Sequence, residues 1–372
     1  MANKENTSEN QGMIGNVGEW SEPYVFLKLL SEGKLYLGDE KLQKREDMYY
    51  PVVAIKRKEN GEEFEYRRVP DEKIIRIVAP DHEIGDIPIS DFEKNAGVVF
   101  AAIKNKSSRT FKILESEEFF KKIGFQKLKA KNDSKADIVI VVYDRKTQTN
   151  LTLGFSIKSF LGSPPTLFNA SKNTNITFKI QGITKKTAEQ IIDETTVIED
   201  SKPKILVKKR VQKIQEEGCK LVFEKVDTKI FEGNLKMIDS EFPEIIAYLV
   251  LLFYSNEKRN KVKELTRKME EEDIFNWKNE YENPLYEYKI KNFLLSALGM
   301  VAGTAWDGKT NASGGYITID LKGELLCTHN FDEYLFENTK LETPDKRNEY
   351  GIIYKEGKDY FIKLNLQIRY TK

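Results

Sequence analysis

Glu22, Phe26 and Leu29 fall on one stripe at helical spacing, which predicts a helix over residues 21–32 that Ser21 caps, Pro23 tolerates in its first turn and Gly33 ends. Residues 50–57 and 64–69 read as strands on either side of Glu59-Asn60-Gly61-Glu62, where Asn60-Gly61 is a strong hairpin signal. Short helices follow at 91–104 and 115–123, then a strand pair at 137–143 and 151–158, and a further strand at 176–180. From 184 to 302 charged positions interleave with Ile, Leu, Val and Phe, a helical pattern whose longest apolar run, 245–254, suits a buried helix. Beyond it come a glycine-rich loop at 303–315, strands at 316–320 and 324–328 joined through Leu321-Lys322-Gly323, and a last strand at 360–370. The pattern describes an α+β protein. A polar lead-in covers 1–15, a β-rich core 16–182, a mainly helical insertion or second lobe 183–302, and a C-terminal β region 303–372 completes the fold.

Composition narrows the function classes. A chain of 372 residues holds one large core or two modest ones. No apolar run approaches the roughly 18 residues that span a bilayer, so no membrane role is expected. The first dozen residues lack the apolar centre of a signal peptide, and the only cysteines, Cys219 and Cys327, sit among apolar neighbours. Both features suit a reducing cytoplasm. With two histidines, His82 and His329, a histidine-rich metal site and a Ser-His-Asp triad are poorly supported. Sixty basic residues balance 59 acidic ones, so contact with nucleic acid would have to come from local patches such as 202–213 and 258–268.

The strand pair carries the chemistry. In 151–158 the period is two: Leu151, Leu153, Phe155 and Ile157 face one way, and Thr152, Gly154, Ser156 and Lys158 the other. The short connection implies antiparallel pairing, and setting Tyr143 opposite Leu151 brings Asp137 opposite Ile157, beside Lys158. A carboxylate next to a lysine at a sheet edge suits metal-assisted phosphodiester hydrolysis. The acid holds a hard cation, and the ammonium orients water or stabilises charge on the phosphate. Ser156 stands where a second acid would be expected. Glu22 is the replacement candidate, because a carboxylate on an apolar helix stripe is costly unless paired or metal-bound, and Glu19 could serve equally. After the lysine, Asn169, Ser171, Lys172, Asn173 and Asn175 could contact phosphates or base edges, although such residues are also ordinary turn formers.

Several long blocks resemble the HpaII-like type II restriction endonucleases: GEWSEPYVFLKLLSEGKLYLGD, GFSIKSFLGSPPTLFNAS with TNITFKI, GGYITIDLKGELLCTHNF, LFENTKLETP and KLNLQIRY. They run in order from Gly18 almost to the C-terminus. The resemblance implies a PD-(D/E)xK nuclease-like mixed sheet flanked by helices, dependence on Mg²⁺, and double-strand cuts in DNA at a short palindrome, CCGG for the name-giving member. It places the family lysine on Lys158 and the preceding acid on Asp137, with Ser156 in an SxK variant. The metal-site acids would be Asp137 and Glu22. A cognate cytosine methyltransferase would protect host DNA, and a homodimer would bring a site to each strand. The competing class is an inert sequence-specific DNA-binding protein on the same scaffold. The discriminator is whether Asp137, Lys158 and one further carboxylate converge on one metal-sized site.

Overall fold

A computed structural model describes residues 12–39, 43–80, 83–129, 136–145, 147–162, 165–256, 258–308, 314–328, 331–344 and 349–371. Most of the polar lead-in, both histidines and residues 309–313 of the glycine-rich loop lie outside the described residues. The chain divides into two compact units, one formed by 1–163 with 311–329 and the other by 164–310 with 330–372. This differs from the expected boundaries at 182 and 302. The 303–372 region does not stay together, because its first hairpin belongs to the first unit's sheet and its remaining strands to the second.

The first unit is built on a nine-stranded mixed sheet. From one edge its order is Lys34–Gly38, Leu325–Thr328, Gly315–Ile319, Thr149–Ser159, Ile138–Asp144, Lys44–Glu59, Glu62–Val69, Ile74–Val78 and Glu83–Pro88. An added pairing of Lys34–Gly38 with Lys44–Glu59 closes six of these strands into a ring of pairings. The predicted hairpins at Asn60-Gly61 and at 321–323 are both present as antiparallel pairs. The Gly315–Ile319 strand pairs parallel to Thr149–Ser159, a contact between segments too far apart in the chain for any local pattern to reveal.

The first helix, Val17–Glu32, begins earlier than predicted. Asn16 accepts from the Glu19 N–H at 3.1 Å and its own N–H donates to the Glu19 carboxylate at 2.8 Å, a reciprocal capping box. Ser21 therefore lies inside the helix, donating to the Val17 carbonyl at 2.7 Å, and Pro23 falls in its second turn. The helix is apolar nearly all round, so it is buried nearly all round: Trp20, Tyr24, Val25, Phe26, Leu27, Leu29 and Leu30 all enter the core. Each such side chain contributes about 1.5–3 kcal/mol on burial. Phe26 meets Tyr66 edge-on at 4.7 Å and Phe125 at 4.9 Å. Gly33 ends the helix at φ +70°, and the guanidinium of Arg68, which donates to the Leu30 carbonyl at 2.7 Å, fills the space a Cβ would need.

The second unit has an antiparallel four-stranded sheet ordered Lys220–Val226, Asn175–Gln181, Asp359–Asn365, Ile353–Glu356. The expected buried helix is Phe242–Tyr254, with Ile245, Ile246, Leu249, Val250, Phe253 and Tyr254 in its core. The segment read as helical from 184 to 302 also contains three strands, Thr196–Glu199, Lys202–Ile205 and Lys220–Val226. The first two form a separate hairpin whose Asp200 and Ser201 both take positive φ. The final strand is two, Asp359–Asn365 and Ile368–Tyr370, which join different sheets.

Candidate active site

The strands Ile138–Asp144 and Thr149–Ser159 pair antiparallel, with Asp144 level with Thr149 and Ile138 level with Phe155. The register is one residue from the expected one, because the strands run on to a four-residue connection in which Gln148 takes φ +56°. Continued by one residue, this register sets Asp137 level with Ser156 rather than Ile157. The shift matters chemically, since one residue of slip exchanges the faces of a strand. Asp137 is locked at the strand entry: its N–H donates to the Phe155 carbonyl at 2.9 Å and its carboxylate accepts the Ile157 N–H at 2.7 Å.

Phe155 is fully buried and Ile157 packs against the same core, whereas Ser156 and Lys158 alternate to the other face, half-buried. Parallel pairing sets Tyr316 beside Ser156 and Thr318 beside Lys158. Desolvation lowers the pKa of Lys158, the charge of Asp137 opposes that, and Lys129 adds to it. Asp137 was expected within hydrogen-bonding or shared-metal reach of Lys158; among the described residues the two form no hydrogen bond or ion pair, and the Asp137 charge acts on the lysine. The Asp137 carboxylate is turned back to the Ile157 amide instead.

Glu22 is brought to Asp137. Both line a cavity of about 10 Å³, room for one water-sized particle, together with Phe26, Ile55, Lys56, Arg57 and Ile138. Glu22 is 7% exposed, and its pKa rises to about 8, first through desolvation and next through the Asp137 charge, with Lys129 and Arg57 pulling the other way. Glu19, the alternative acid, is engaged in the helix cap. Neither Ser156 nor Lys158 lines the cavity.

No group of three or more His, Cys, Asp or Glu among the described residues is arranged to hold a metal. A buried and a half-buried carboxylate converging on one small cavity, the buried one driven toward protonation by desolvation and then by the charge of its neighbour, nevertheless match what Mg²⁺ takes from a protein, one or two carboxylates with water for the rest. The donor set therefore fits a hard divalent cation.

Arg57, Lys56 and Lys129 went unread in the sequence. Arg57 carried a signal: Ile55, Arg57 and Glu59 alternate onto one buried face of their strand, so a charge pair must be enclosed there. The Arg57 Nε donates to Glu59 at 2.6 Å. Lys129 stands 3.7 Å from Glu22.

The polar stretch after the lysine lies in the second unit, and the fold consumes much of it. Asn175 is 2% exposed and accepts from Asn365 at 2.5 Å, so its assignment as a DNA contact is overturned by burial. The Ser171 hydroxyl caps the short Lys172–Thr174 helix and accepts the Asn173 N–H at 3.1 Å, a structural task. Lys172 is exposed and ion-paired to Glu349. Asn169 is exposed, and Asn173 is half-buried with its backbone held by Ser171 and Thr228. In the basic patch 202–213, Arg210 is 2% exposed and bonded to Thr195, Thr196 and the Gly351 carbonyl, which makes it a core clamp.

The model of a family described as HpaII restriction endonuclease matches residues 16–370. A curated relative, the type II restriction enzyme HpaII of Haemophilus parainfluenzae, is 42% identical over 364 residues, which cover 96% of this chain and 98% of the relative. No solved structure matches the chain.

Proposed function

We propose a specific chemistry for this chain, which belongs to the HpaII restriction endonuclease family: site-specific double-strand cleavage of DNA at CCGG, by Mg²⁺-assisted hydrolysis in a PD-(D/E)xK-like site. The observation that carries the reading is the convergence of Glu22 and Asp137 on one cavity at the mouth of the strand pair that bears Lys158. Glu22 and Asp137 would hold the ion. When bound, the ion supplies Lewis-acid activation of the phosphodiester.

The chain's own groups do the rest. Asp137 is pre-oriented by the Ile157 amide, so its carboxylate does not have to be ordered during the reaction. Lys158, whose ammonium is already partly stripped of water, stabilises charge that develops on the scissile phosphate as water oxygen attacks phosphorus and the phosphorus–oxygen ester bond breaks. Ser156 shares its face and supplies a hydroxyl where a second acid would otherwise add negative charge. Asn169, Lys172 and Asn173 are the DNA contacts we retain. A homodimer would deliver one site to each strand, and a cytosine methyltransferase acting on the same site would protect the host in its cytoplasm. The decisive experiment is incubation with unmethylated plasmid and Mg²⁺, followed by sequencing of fragment ends. Ends within CCGG support the reading, and an uncut plasmid that is still bound specifically points to an inert binder.

A further inference from the structure

We infer that Lys129 is a phosphate-binding residue, its ammonium resting on Glu22 in the free protein and passing to a backbone phosphate of bound DNA, with Arg57 positioning the segment that carries it. The inference rests on the nuclease reading above and adds a residue that neither the motif nor the family resemblance pointed to.

The segment just before Lys129 is fixed from within. The buried guanidinium of Arg57 donates to the Lys127 carbonyl and, at 3.5 Å, to that of Leu128. It lies 3.7 Å over the Phe125 ring, and Leu128 itself is 7% exposed. Lys129 emerges from this anchored backbone with its side chain 63% exposed, while its partner Glu22 is 8% exposed. The pair thus joins an ammonium in water to a carboxyl group in the cavity wall, at a separation of 3.7 Å.

An ion pair with one solvated member is weak and screened by salt. A divalent cation on Glu22 and Asp137 would take over the carboxyl group on which the ammonium rests. Lys129 would then stand as a free cation at the mouth of the site, on a rigid stem, beside a polyanion held a few ångströms away. It stands 3.7 Å from Glu22, and its charge acts on both Glu22 and Lys158, so it belongs to the same neighbourhood rather than to a remote face. A lysine so placed lowers the cost of bringing a phosphate to the acids, and it carries no sequence information.

The test measures binding of a fluorescent CCGG duplex by anisotropy, with Ca²⁺ in place of Mg²⁺ to keep the duplex intact, across about 50–200 mM salt. Lys129→Gln should reduce the slope of log affinity against log salt by about 0.9, the value of one lost phosphate contact. It should weaken cognate and mismatched duplexes alike, and Lys129→Arg should restore the slope. Lys129 is exposed, so the variant should fold; an unchanged melting temperature would establish that. A slope equal to the wild type's overturns the inference while leaving the nuclease reading intact. Failure of the wild-type protein to bind or cut any CCGG duplex overturns both.

Discussion

Around Glu22 and Asp137 the first unit holds two carboxylates on a cavity of about 10 Å³, and burial, followed by the charge of Asp137, raises the Glu22 pKa to about 8. Around residues 169–175 the second unit does the reverse: Ser171 caps a turn, Asn175 and Asn365 satisfy one another, and Lys172 meets Glu349. Both neighbourhoods bring polar side chains out of solvent. They differ in whether the fold completes the bonding of its own groups. A neighbourhood left electrostatically incomplete has capacity for a ligand, and a completed one serves stability.

The largest test of this contrast is Lys158→Ala. Cleavage should fall about a hundredfold to a thousandfold, equivalent to roughly 3–4 kcal/mol of transition-state stabilisation, while specific binding stays largely intact. Parallel cleavage and gel-shift assays separate the two, and undiminished cutting would move the active site elsewhere. Next, Asp137→Asn and Glu22→Gln should weaken Mn²⁺ or Ca²⁺ binding, read by calorimetry without DNA, by more than the roughly 10–100-fold typical of changes one shell further out. Equal metal affinity in either variant would remove that residue from the site.

In the second unit, Asn175→Ala should cost about 1–3 kcal/mol of unfolding free energy, because the buried Asn365 amide loses one of its two acceptors and keeps only the Ser171 carbonyl. It should leave the ratio of cognate to mismatched DNA affinity unchanged in the folded protein. A changed ratio at wild-type stability would break the comparison from the other side.

A further effect is in pH. The folded pKa of Glu22, about 8, lies above its unfolded value of 4.5, so the folded state holds the extra proton between them. Stability in EDTA therefore falls as pH rises from about 5 to 8, by at most about 1.4 kcal/mol per unit, and levels off above. Denaturant unfolding across that range checks the sign, and Glu22→Gln should flatten the trend. A stability that climbs over that interval for this reason would require Glu22 to be ionised and well paired.

The helix at 17–32 and the alternation at 151–158 were legible because both arise from neighbours in the chain: apolar spacing builds a helix or a strand whatever surrounds it. So were the turn at Asn60-Gly61 and the buried helix at 242–254. The lysine and the acid of the proposed site stood out as candidates, although a lysine and an aspartate at strand ends are also ordinary structural features. The three strands between 196 and 226 were hidden because charged residues on both sides of short strands mimic an exposed helix, and pairing partners decide the matter.

What local pattern determined about this protein is therefore its elements, its α+β class and the candidates Asp137, Lys158 and Glu22. What tertiary structure alone decided is which candidates meet. The register of the 138–144 and 149–159 strands turned on how far they run before the turn, a matter of one residue that sets the face of every side chain. Glu22 rather than Glu19 lines the cavity with Asp137, and the capping box at Asn16 takes up Glu19. Asn175 left the list of DNA contacts because Asn365, 190 residues away, completes its bonding. Each outcome depends on contacts between distant segments, and whether a polar group is satisfied or left open is a property of those contacts and not of the residue itself.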